Sequence, residues 1–158
     1  MGFFIGEKVI HSAFGLGEIV DIEEKIIQSQ PTSCYVFRSN ELMIWIPIND
    51  LQQHSLRLPT LPEEFIRQSG ILTNPSETLV EDRVLRKNQL LAQMQDGQLA
   101  SICRVVRDLT NFKRSKRLNN QEKSILERAV NSLLTEWNYS LGTPLNQAHQ
   151  AMTTLLEV

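Results

Sequence analysis

A chain of 158 residues, 41% of them hydrophobic, can build one ordinary domain or two small ones. It has no run of roughly 18 apolar residues that could span a membrane and no signal-peptide pattern at its start, so a cytoplasmic protein without a membrane partner is expected. The net charge of -2 hides an asymmetry: residues 1–82 carry 5 Lys and Arg against 12 Asp and Glu, residues 83–128 carry 11 against 4, and the remainder 0 against 2.

Lys8-Val9-Ile10-His11 reads as a short strand and residues 12–17 as a glycine-bearing turn. Residues 18–23 alternate apolar with acidic at a period of two, as in a strand with one buried face. Residues 33–37 and 42–48 give two more strands, joined by a hairpin turn at Arg38-Ser39-Asn40-Glu41. Pro47 cannot donate to a ladder, so its strand ends there or lies at an edge. Strands this short suit a small bent sheet or barrel. In Met43-Ile44-Trp45-Ile46, alternation sends Ile44 and Ile46 to one face and Met43 and Trp45 to the other; with the isoleucines inside, Trp45 stands outside.

Helix signals replace strand grammar at Leu58-Pro59-Thr60-Leu61-Pro62, which divides the chain into residues 1–58 and 59–158. Thr60 with Glu63 can cap a short helix that Gly70 ends. Ser76 opens a longer helix in which Val80, Val84, Leu91 and Met94 share a face, closing at Asp96-Gly97. Leu99, Ile102, Val106 and Leu109 make the buried stripe of the next, with Arg104, Arg107 and Asp108 on its wet side. Residues 111–117 form a basic connector. Asn119 and Glu122 then make a capping signal ahead of Ile125, Leu126, Ala129, Val130, Leu133, Leu134 and Trp137. Trp137 belongs to that stripe and reads as core. Gly142 stops this helix, and Thr143-Pro144 starts a last one carrying Leu145, Ala148, Met152, Leu155 and Leu156. The fold class is therefore α+β, segregated: a small β-domain followed by about five helices.

No catalytic motif stands out. His11, His54 and His149 lie far apart without metal-ligand spacing, and Cys34 and Cys103 sit inside apolar runs as buried free thiols. Phe14-Gly15-Leu16-Gly17 leads into a strand rather than a helix N-terminus, so it is a turn and not a phosphate loop. A non-enzymatic protein with no cofactor, no metal and no small-molecule substrate is expected. The basic block at 83–128 is an electrostatic footprint for nucleic acid, or else a solvated basic face.

Phe4-Ile5-Gly6-Glu7-Lys8-Val9-Ile10, then Phe14-Gly15-Leu16-Gly17-Glu18-Ile19 and Trp45-Ile46-Pro47-Ile48, resemble the N-terminal module of the CarD/CdnL family of bacterial transcription regulators, a module shared with transcription-repair coupling factor. Asp96-Gly97, Val105-Val106-Arg107-Asp108-Leu109 and Leu118-Asn119 with Glu122-Lys123 resemble that family's helical domain in the same order, so the resemblance covers nearly the whole chain.

The resemblance implies a Tudor-like domain over residues 1–58 that docks on the RNA polymerase beta subunit, and a helical domain over 59–158 that meets promoter DNA at the upstream edge of the melted bubble. It implies a polymerase-binding strand pair of Lys25, Ile26 and Ile27 with Met43, Ile44, Trp45 and Ile46. Together with the charge reading it makes Arg83, Arg86, Lys87, Lys113, Arg114, Lys116, Arg117 and Lys123 the DNA-facing candidates. Two departures stand out. Arg83 occupies the place of a family Trp that wedges into the minor groove, and Trp45 stands where family members often carry a basic residue. An Arg can contact phosphate or enter a narrow minor groove, but it cannot prise apart a base step. The rival reading is a protein-only adaptor that binds polymerase or another partner without touching DNA.

Overall fold

The computed structural model describes residues 2–49 and 56–157. The chain forms two compact units, Met1–Pro59 and Thr60–Val158. Strands occupy the first and helices the second, an α+β arrangement. His54 lies outside the described residues.

The first unit is an antiparallel sheet of β1 (Lys8–His11), β2 (Gly15–Ile27), β3 (Gln30–Ser39), β4 (Leu42–Pro47) and β5 (Leu56–Arg57), in the order β4-β3-β2-β1-β5. Strands β2 and β3 run further than alternation suggested, because Gln28 and Ser29 both take positive φ, 51° and 64°. A two-residue turn of that hand matches strand twist and carries the pairing to Ile27 opposite Gln30. Gln-Ser is not a usual sequence for it, so the turn gave no signal. A bulge between Ile19 and Asp21 interrupts the β2–β3 register. Val9, Ile19, Tyr35, Phe37, Ile46 and Leu56 form the core, with Ile44 packed against it. Gly17 is required here: a Cβ would come within 2.5 Å of the Arg38 carbonyl and the Phe37 ring.

The second unit comprises α1 (Pro62–Ser69), a 3₁₀ turn (Gly70–Thr73), α2 (Arg83–Asp96), α3 (Leu99–Ser115), α4 (Asn120–Leu141) and α5 (Leu145–Leu156). Three local expectations are corrected. Thr60 does not cap α1; its N–H and hydroxyl both donate to the buried Glu136 carboxylate, at 2.9 and 2.6 Å. Helix α2 opens at Arg83 rather than Ser76, because Asp82 accepts from the Leu85 N–H at 2.8 Å. Val84 is consequently exposed rather than part of a buried stripe.

The third correction concerns α3, the central helix, which packs against α1, the 3₁₀ turn, α2 and α4. It has little wet side left, and Arg107 and Asp108 are buried, paired at 2.8 Å. The expected connector is also shorter, since residues 111–115 continue α3. Trp137 lies in the core, edge-to-face with Phe65 at 5.4 Å between centroids.

Candidate functional site

The positive charge of the helical unit gathers around the start of α4. Asn119 accepts from the Glu122 N–H at 2.8 Å and Glu122 accepts from the Asn119 N–H at 2.9 Å, a reciprocal cap that starts the helix sharply. The second oxygen of Glu122 accepts from Arg86, and both side chains are buried. Arg86 also donates to the carbonyls of Val80 and Glu81, each at 3.1 Å, and lies 4.9 Å from the Phe112 ring centroid. This network holds the N-termini of α2 and α4 side by side. Arg86 is therefore corrected from a DNA-facing candidate to a positioning residue, because it is buried and its Nε and Nη1 donors are taken inside the fold.

Between the two helix starts lies a cleft of about 280 Å³ lined by Arg83, Val84, Lys87, Asn119, Asn120 and Gln121. Its two basic side chains, Arg83 and Lys87, favour an anion there, while each helix end already carries a carboxylate, Asp82 at α2 and Glu122 at α4. Beside Arg83, Val84 and Leu85 are exposed at 64% and 49%, a small apolar prominence that no sequence pattern signalled. One turn along α4, Lys123 borders a larger cleft of about 640 Å³, whose other wall carries Lys113, Arg114, Lys116 and Arg117. All five cations are exposed. Arg114 donates to the Leu156 carbonyl at 2.9 Å, and Lys116 sits 5.9 Å from the Phe112 centroid. Seven of the eight basic candidates thus border two adjoining clefts at the head of α4.

On the sheet unit, β4 pairs with β3 on one side, and among the described residues no strand covers its other edge. Trp45 stands half-exposed on the outer face. Its Nε1–H donates to Glu23 at 2.9 Å, and the Lys25 ammonium lies 4.5 Å from its ring centroid. The indole is thereby held across β3, opposite Val36 in the register. Val36 alternates away from the core yet is buried. Lys25, Ile26, Met43 and Trp45 are exposed, Ile27 is half-buried, and Ile44 and Ile46 turn into the core. The isoleucines of β4 can offer a partner only their backbone.

The Val-Val-Arg-Asp-Leu segment lies on α3, and the Asn119 cap opens α4 behind the basic connector. The model of the CarD C-terminal domain matches residues 69–153, more than half of the chain, and the chain belongs to the CarD family. A Bacillus subtilis (strain 168) relative named "Putative transcription factor YdeB" is 27% identical over 140 residues, covering 85% of this chain and 89% of that one.

Proposed function

We propose that this CarD-family protein docks on the RNA polymerase beta subunit through the β4 edge and contacts promoter DNA through the basic clefts at the head of α4, acting without catalysis. An exposed strand edge supplies backbone hydrogen bonds to an added strand, and alternate side chains supply specificity. Here those side chains are Met43 and Trp45, with Lys25 stacked on the indole. The observation that carries the DNA half is the gathering of Arg83, Lys87, Lys113, Arg114, Lys116, Arg117 and Lys123 around two adjoining clefts. Interactions made in the open promoter complex and absent from the closed one shift that equilibrium by their difference in free energy.

Replacing Lys113, Arg114, Lys116 and Arg117 together by Ala tests this. The slope of log affinity against log salt shrinks by roughly 0.9 for every phosphate that is no longer neutralised, so the variant binds duplex DNA more weakly and with a flatter salt dependence. Unchanged affinity and slope would overturn the DNA-binding role. They would favour the adaptor reading, which draws support from Arg83 standing in place of an aromatic wedge.

A further inference from the structure

We infer that the larger cleft, between the last turn of α3 and the side of α4, is also a docking groove for an acidic amphipathic helix of a partner protein, which competes for the same cations with the nucleic acid proposed above. Its α4 wall is formed by positions 123, 126, 127, 130 and 131, recurring at three- and four-residue spacing. The groove therefore follows the helix for about two turns, roughly 12 Å. Leu126 and Val130, one turn apart on α4, line it half-buried, and the buried Leu118 adds to its apolar lining. Along the rim, the side chains of Lys113, Arg117 and Lys123 have no hydrogen-bond or ion-pair partner among the described residues. Glu127 is the one carboxylate among the described lining residues.

An occupant must answer both the aliphatic floor and the uncompensated cations. Duplex DNA satisfies the cations through its phosphates and leaves the floor without an apolar partner. Single-stranded nucleic acid stacks its bases on aromatic side chains, and the described lining has none. A small ligand is held where 70–90% of its surface, roughly, is enclosed, whereas the rims here are exposed along their length. A helix with aliphatic side chains at i, i+3, i+4 and i+7 and carboxylates on its flanks meets both demands at once.

The test is fluorescence anisotropy of the full chain with a labelled synthetic helix of about four turns, carrying leucines on one face and glutamates on the others. Two control peptides replace either its leucines by serine or its glutamates by glutamine. The leucine–glutamate peptide should bind, each control roughly tenfold more weakly, and methyl resonances of Leu126 and Val130 should shift on binding. The double variant Arg117→Glu, Lys123→Glu changes two exposed side chains without touching the core, and should weaken the peptide by a similar factor. Failure of the parent peptide to bind, equal binding by the serine control, or equal binding by the charge-reversed protein would each overturn the proposal.

Discussion

Where the helical unit buries Arg86, Arg107, Asp108, Glu122 and Glu136, the described residues of the sheet unit have no charged side chain inside. The difference follows from what each architecture can offer a desolvated charge. Packed helices bring complementary side chains, helix ends and interrupted backbone into reach. Asp108 is met by Arg107 and by the Glu77 N–H at 3.1 Å, Glu122 by Arg86 and a cap, and Glu136 by Thr60. A sheet spends its backbone on its ladders, and a core of six side chains has no room for a paired charge. Its charges stay outside, where Glu23 and Lys25 hold the Trp45 indole. Buried charge in one unit thus joins helices, and exposed charge in the other orients a surface ring.

The largest expected effect breaks this contrast at its strongest point. Glu122→Ala strands the Arg86 guanidinium and removes the half of the α4 capping box that accepts from the Asn119 N–H, and one-sided loss of a buried pair costs about 3–5 kcal/mol. Urea unfolding of the full chain should show that loss in the helical unit while backbone amide resonances of β2 and β3 still report an intact sheet. The paired change Arg86→Met with Glu122→Leu should recover most of it. If the single variant is as stable as the parent, the buried network is not what positions the two helix starts.

A smaller effect is expected at Trp45. Interface aromatics often cost at least about 2 kcal/mol when truncated, roughly a thirtyfold loss of affinity. Trp45→Ala should weaken binding to the polymerase beta subunit by about that factor, with little change in sheet stability, as measured by titration calorimetry and thermal unfolding. Loss of the fold with no separate effect on binding would make Trp45 a structural residue.

The smallest is a pH effect confined to the sheet unit. His11 packs against Phe14 and Phe37, and its Nδ1 accepts from the Ala13 N–H at 2.9 Å. Burial lowers its pKa below the usual 6.5. As pH falls through 6.5 the unfolded chain takes up the proton first, so stability falls below that value and is retained above it. His11→Gln should flatten the dependence of sheet unfolding on pH across this range. An unchanged slope would place the titrating group elsewhere. In the helical unit, burial first and Glu136 second push the Cys103 thiol up to about 12, so it should resist alkylation at neutral pH until the unit unfolds.

Composition and local pattern were enough to reveal the segregated fold, the capping pair Asn119 and Glu122, the outward Trp45 and the basic block. Each is a property of neighbours in sequence: strand alternation, a cap three residues long, a run of like charge. Tertiary packing decided the rest. Arg107 and Asp108 sit where helical periodicity predicts water, and only the other helices around α3 bury them. Arg86 is indistinguishable by sequence from Arg83 and Lys87, yet Glu122, 36 residues away, draws it inside. A charged side chain's fate depends on the dielectric and partners that distant segments bring to it, and no local spacing encodes those.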